Sequence, residues 1–304
     1  MRVLVTGASG LIGGRVVDAL RASGTTEIRA ASRDVRRWPE GVAGVVLNWR
    51  NAVSLTDACD GVTAVINLAG MPESACAVDP TGALMANAGG TLALAEAARS
   101  VGVPRFVQLS TVKVYGSSPA GMIVDDAPVQ PRSHYAITHR AAEDYAARHP
   151  HAVILRLSNG FGAPVATTSS AWSVIVNEFC HQAVAGQRIV LRSDGRSWRN
   201  FVPMPDILAA IRAGIMTLPA GTYNLASAHS ETLRAMAERV AQVSAARFGT
   251  KVEISYGAPT AAVAEAAVEF RTDRLIACGV RLGASAEDEI ESTLRAARAA
   301  LGHS

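Results

Sequence analysis

"TGASGLIGG" (residues 6–14) follows the β-branched run "RVLV" (2–5) and leads into a stretch compatible with a helix over 11–23. Glycines at 7, 10 and 13 in that setting fit a strand–turn–helix that cradles a dinucleotide. Gly7 permits the tight turn, Gly10 lets the backbone approach a pyrophosphate, and Gly13 allows the helix to pack closely on the sheet. Leu11 and Ile12 open the helix, where unpaired N–H groups and the positive end of the dipole face the phosphates.

Outward from this loop, short apolar runs alternate with longer helical patterns. Strands are expected over 2–7, 27–33, 44–49, 64–70, 105–110 and 152–158, and helices over 11–23, 53–59, 81–100 and 135–148. Near-continuous apolar strands separated by helices imply a parallel sheet covered on both faces. Right-handed crossovers make it an α/β, doubly wound (Rossmann) sheet.

After residue 158 the rhythm changes. The turn-rich "NGFGAPVATTSS" (159–170) precedes an expected helix over 171–185 and a short strand in "RIVLRS" (188–193). Two amphipathic helices are expected over 230–248 and 285–301, each starting on a serine with acidic residues in the first turn. The expected division is a dinucleotide-binding Rossmann domain over 1–158, with 198–228 returning to it. A smaller, mainly C-terminal substrate lobe takes 159–197 and 229–304.

Composition narrows the classes of function. With 304 residues and only 18% charged side chains, the chain suits one large α/β domain or a main domain with a smaller lobe, not a disordered one. A net charge of +3, without a run of five basic residues, argues against nucleic-acid binding. The basic cluster "RDVRR" (33–37) reads as loop surface or as a seat for one small anion. Cys59, Cys76, Cys180 and Cys278 have no metal-ligand spacing and read as reduced thiols. No apolar run reaches the ~18 residues of a membrane span. Glycines interrupt the N-terminal apolar run too early for a signal peptide. The expectation is a cytoplasmic protein with no metal, no nucleic-acid partner and no membrane partner.

The end of the second strand bears on the cofactor. An acid there accepts hydrogen bonds from a free ribose 2′-hydroxyl, whereas a 2′-phosphate needs a cation. In "AASRD" Ser32 takes the acid's place and Arg33 follows, which favours NADP. Asp34, two residues on, keeps NAD as the second choice.

Several motifs, taken in order, resemble the extended short-chain dehydrogenases/reductases, the NAD-dependent epimerase/dehydratase family of nucleotide-sugar-modifying type. They are "TGASGLIG" (6–13), "NLAG" (67–70), "NAGGT" (87–91), "LSTVKVYG" (109–116), "YAITH" (135–139), "LRLSNGFG" (155–162) and "WRNFVPMPD" (198–206). The resemblance covers almost the whole chain. It implies that Leu68 and Ala69 join the glycine loop in holding the cofactor. Asn87 matches a structural asparagine. Thr111 would polarise the substrate oxygen and Tyr135 would carry the proton.

One position breaks the pattern. The family places a lysine one turn after the tyrosine, where it lowers the phenol's pKa and holds the nicotinamide ribose, and His139 stands there instead. A cation ~5 Å from a phenolate at effective dielectric ~20 is worth roughly 3 kcal/mol, or about two pKa units. His139 can still meet a ribose hydroxyl, so Tyr135 should be weakened as an acid with cofactor binding retained. Lys113 offers a second source of positive charge, although a lysine on this loop reads first as surface. His134 reads as solvent-facing, and His149 and His151 as turn residues around Pro150.

In the second lobe the resemblance implies that Asn159 and Arg199 contact the phosphates of a nucleotide sugar, with Arg192 as a possible addition. Asn200 replaces the usual acid after that arginine. The expected activity is hydride transfer on a nucleoside-diphosphate sugar, as epimerisation or keto-sugar reduction. A dinucleotide-binding sensor or scaffold without turnover, and a reductase of a non-sugar ketone, stay open. The resemblance also implies a homodimer, paired through the helices over 81–100 and 135–148.

Overall fold

The computed structural model describes residues 1–24, 27–116, 121–166, 169–258 and 267–302. Thr167 and Thr168 of the turn-rich stretch lie outside them. The first half runs β1 (Arg2–Thr6), α1 (Leu11–Ala22), β2 (Glu27–Ser32), β3 (Val42–Val46), α2 (Ala52–Cys59) and β4 (Ala64–Asn67). It continues through α3 (Glu73–Val78), α4 (Pro80–Ala83), α5 (Gly90–Ser100), β5 (Phe106–Thr111), β6 (Gly121–Ile123), α6 (His134–Ala146) and β7 (Ala152–Leu157). The second half holds β8 (Asn159–Phe161), α7 (Ile175–Gly186), β9 (Arg188–Val190), β10 (Trp198–Pro203), α8 (Met204–Met216) and β11 (Gly221–Leu225). It ends with β12 (Ser230–Thr232), α9 (Leu233–Phe248), β13 (Glu253–Ser255), β14 (Val268–Phe270), α10 (Asp273–Ala277) and α11 (Ala286–Ala300).

Seven parallel strands form the main sheet in the order β11-β7-β5-β4-β1-β2-β3. Helices cover both faces, so each strand divides its side chains between two cores. Val3 and Val5 point to the side of α1 and α8, where Val16, Val17, Ile207 and Ile211 pack. Leu4 points the other way, to Leu55 of α2 and Leu94 of α5. Val107 and Phe106 on β5, and Val153 and Ile154 on β7, repeat the split. This two-residue period with both faces apolar is why the strands read as unbroken hydrophobic runs.

A third core lies in the second lobe, where α7, α9 and α11 enclose Phe179, Met236, Val240, Ile290 and Leu294. Buried carboxylates tie the lobe to the sheet. Asp206 of α8 accepts from the Gly283 and Ala284 N–H groups, and Glu289 Oε1 lies 3.6 Å from the guanidinium of Arg15 on α1.

Several expected boundaries moved for local reasons. The strand expected over 44–49 starts two residues earlier, at Val42, because β3 follows β2 from Ile28 onward. The helix expected over 81–100 is interrupted by a wide π-turn, Leu84–Gly89. The helix expected over 171–185 begins at Ile175, after a 3₁₀ turn over Ser169–Trp172. The one expected from Ser230 begins at Leu233, capped by Thr232. Ser230 is instead paired with Asn200 in β12, and its hydroxyl donates to Val268 C=O. Ser285 does cap α11, accepting from Asp288 N–H at 3.1 Å.

Candidate active site

The glycine loop joins β1 to α1, between the strands where the sheet order reverses. Gly7 has φ +63°, and a Cβ there would stand 2.6 Å from Leu68 O and 2.9 Å from Ala69 N. A Cβ on Gly13 would stand 2.1 Å from Gly7 O. Gly10 caps α1 without a side chain, and a Cβ on it would meet only Gly7 O, at 3.2 Å. The first turn of α1, including Leu11 and Ile12, therefore presents bare N–H donors beside open space, the arrangement a pyrophosphate needs.

At the other end of this crevice, Ser32 closes a turn by donating to Asp34 C=O at 2.6 Å. Arg33 and Asp34 are exposed, as are Arg36 and Arg37. Among the described residues no carboxylate lies in ion-pair contact with these three arginines.

β4 carries the loop's neighbours. Asn67 at its end accepts from Thr6 Oγ1 at 2.5 Å and donates to Thr91 and Gln108, which fixes the backbone leading into Leu68 and Ala69. Asn87, brought inward by the π-turn, accepts from Met71 N–H at 2.7 Å and donates to Thr138 Oγ1 at 2.9 Å.

Ser133 caps α6 by accepting from Ala136 N–H at 3.2 Å, and this sets Tyr135 in the first turn. Thr111 closes β5, and its side chain stands close enough to the Tyr135 phenol to favour its ionised form. The His139 ring packs against the Tyr135 ring with centroids 4.4 Å apart. A Cβ on Gly70 would be 3.8 Å from His139 Cε1. A continuous line of contacts thus runs from Gly7 through Leu68, Ala69 and Gly70 to His139, Tyr135 and Thr111.

Electrostatics follow from burial. Burial, and secondarily the Glu73 carboxylate, push the Tyr135 phenol up to about 12, while Thr111 works in the opposite direction. Burial holds His139 down to about 4, so it is neutral at physiological pH. Its Nδ1 is buried with no hydrogen-bond partner among the described residues. An orphaned imidazole nitrogen, a glycine cradle and a bare helix start fit a dinucleotide with a ribose hydroxyl to offer.

Behind the site, Glu143 on α6 and Arg156 on β7 form a bidentate buried pair at 2.9 and 2.7 Å. Ser110 donates to Glu143 at 2.6 Å, and Arg156 donates to the Tyr115 hydroxyl at 2.9 Å. Sequence reading missed this pair, as it missed Glu73, whose carboxylate pairs with Lys113 from 40 residues away. Lys113 is therefore not a free surface lysine. His134 is exposed, but His149 is buried against Val103 C=O at 3.0 Å and is more than a turn residue.

Asn159 and Arg199 share the small sheet β12-β10-β8, where Asn159 is in register with Phe201, two residues beyond Arg199. Both therefore project from one face of it. Asn159 Nδ2 donates to Asn200 C=O at 2.9 Å, and Arg199 donates to Trp198 C=O at 2.7 Å. Asn200 itself is buried and holds the 227–230 segment, accepting from Ser227 N–H and donating to Ser227 C=O. Arg192 is almost fully exposed, 3.8 Å from Glu178.

Known proteins align with this arrangement. Residues 3–226 match the NAD dependent epimerase/dehydratase family. A UDP-glucose 4-epimerase of Mycolicibacterium smegmatis is 31% identical over 232 residues, 70% of this chain and 73% of that protein. A dTDP-glucose 4,6-dehydratase of Streptomyces griseus is 27% identical over 230 residues, 69% of this chain and 68% of that protein. The structure of UDP-glucose 4-epimerase from Thermus thermophilus in complex with NAD superposes with TM-score 0.82 at 26% identity, covering 98% of this chain and 99% of that one. The chain belongs to the NAD dependent epimerase/dehydratase family.

Proposed function

We propose that this member of the NAD dependent epimerase/dehydratase family moves a hydride to or from a carbinol or ketone carbon of a nucleoside-diphosphate sugar. The observation that carries the reading is the unbroken line of contacts from the glycine loop to the Tyr135–Thr111 pair. Gly7, Gly10, Leu11, Ile12 and Gly13, with Leu68 and Ala69, would hold the dinucleotide. Ser32 and Arg33 would meet its adenosine ribose. Arg33, with no ion-pair partner among the described residues, supports NADP ahead of NAD, together with Arg36 and Arg37 on the same loop. His139 Nδ1 would take up a nicotinamide ribose hydroxyl.

The bound dinucleotide supplies the hydride acceptor or donor. In the oxidative direction Tyr135 takes the proton from the sugar hydroxyl as the hydride leaves the same carbon, and Thr111 holds the oxygen that becomes the carbonyl. In reduction Tyr135 returns the proton to that oxygen. Asn159 and Arg199 would hold the diphosphate, with amide and guanidinium donors suited to its two negative charges. Residues 1–158 and 198–228 would thus serve the dinucleotide, and 159–197 with 229–304 the sugar nucleotide. A cytoplasmic homodimer completes the reading.

Tyr135→Phe should lower turnover by at least ~10²-fold, the low end of a general acid–base contribution, with dinucleotide affinity unchanged. Full turnover in that variant would overturn the proton route. Arg199→Ala should weaken binding of the sugar nucleotide, whereas a reductase of a non-sugar ketone would be indifferent to it.

A further inference from the structure

Lys113 stands in the turn that follows β5, two residues beyond Thr111, whose Oγ1 accepts from its backbone N–H at 3.2 Å. Its ammonium lies 5.9 Å from the centroid of the Tyr135 ring and is ion-paired with Glu73 of α3. Both partners are partly exposed, at 42% and 48% of their side chains, so neither is needed to close the core.

The groups that face Tyr135 can be taken element by element. Glu73 and Cys76 come from α3, Thr111 and Lys113 from the end of β5 and the turn after it, and His139 from its own helix. Of these, Lys113 alone carries a basic amine. His139 is held neutral by burial, and Cys76 is a thiol pushed up by burial.

We propose that Lys113 is the cation that serves Tyr135 in place of a lysine at position 139, with Glu73 as the counter-ion that sets how much of that charge the phenol feels. The proposal rests on the reading of Tyr135 as proton carrier. The charge reaches the ring from the strand side of the site, not from the helix one turn on. The Glu73 carboxylate opposes the field of Lys113 at the phenol. Neutralising Glu73 releases the field of Lys113 onto it. A cation at this distance, at an effective dielectric of ~20 to ~40 for a half-exposed group, shifts a neighbouring ionisation by about one to two pH units.

The test reads Tyr135 directly and needs no substrate. The protein has five tyrosines, and ring-¹³C labelling with Tyr135→Phe assigns the resonance of interest. Glu73→Gln should lower the Tyr135 ionisation midpoint. Adding Lys113→Met to Glu73→Gln should raise it again by about one to two pH units, and adding Lys113→Arg in its place should keep it low. An unchanged midpoint in Glu73→Gln, or the same midpoint in Glu73→Gln with and without Lys113→Met, would overturn the proposal. Failure of the proton-carrier reading would be recognised separately, as full turnover by Tyr135→Phe.

Discussion

His139 lies buried against the Tyr135 ring, and its burial has a thermodynamic consequence. Its pKa falls from 6.5 to about 4 on folding, so between those values the unfolded chain binds the proton that the folded chain refuses. Stability is complete above pH 6.5 and is lost as the pH falls toward 4, by about 3 kcal/mol for this one group. His139→Gln does not titrate. The difference in unfolding free energy between the two proteins, measured by denaturant titration, should be flat above pH 6.5 and shift by that amount below it. Parallel curves would show that His139 is free to protonate in the folded state. A second prediction concerns Arg33. Fluorescence titration should give tighter binding of NADPH than NADH, and Arg33→Ala should erode the preference. Equal or reversed affinities would point to Asp34 and NAD. Gly7, Thr111, Tyr135 and Arg33 could all be singled out from motif and spacing. Glu73 could not, because it meets Lys113 only through the packing of α3 on α6, and no local pattern marks it.

At the scale of elements, strands were legible because two covered faces demand apolar side chains at nearly every position, and β4 and β7 are buried throughout. Helix ends were less so. "GALMANAGGTLALAEAA" carries small residues on every side, so nothing in its periodicity reveals the π-turn that delivers Asn87. Ser230 looked like a cap, but the pairing of β12 with β10 claimed it. The Glu143–Arg156 pair belongs to this scale as well, since it bolts α6 to β7 behind Tyr135. Arg156→Met would leave a buried carboxylate with its main counter-charge removed. The cost should be about 3–5 kcal/mol, read as a lower denaturation midpoint. A loss under ~1 kcal/mol would mean that Ser110 and Arg140 satisfy Glu143 by themselves.

For the whole molecule, the alternation of strands and helices gave the sheet, while its docking with the second lobe depends on contacts distant in sequence. Asp206 reaches residues 283 and 284, and Glu289 reaches Arg15 of α1. Those links leave Asn159 and Arg199 on one face of a small sheet that no sequence period predicts. Leu84, Met85 and Ile137 are exposed on the π-turn and α6, beside half-buried Leu92, Ala141 and Tyr145. Burying this apolar strip between two copies would account for it. Sedimentation at micromolar concentration should find a species near twice 31.6 kDa, and Ile137→Glu should shift it toward the monomer. A single 31.6 kDa species in the unaltered protein would contradict the dimer.

The proposed function has the glycine loop and Tyr135 serve one hydride transfer on a sugar nucleotide. Single-turnover spectroscopy tests it most directly: protein carrying oxidised dinucleotide is mixed with UDP- and dTDP-hexoses, and the reduced nicotinamide is followed by its absorbance. Reduction is expected with at least one of these sugars, slowed by at least ~10²-fold in Tyr135→Phe although the dinucleotide stays bound. Stable binding of dinucleotide and sugar nucleotide without any reduction in the unaltered protein, or equal reduction in Tyr135→Phe, would contradict it.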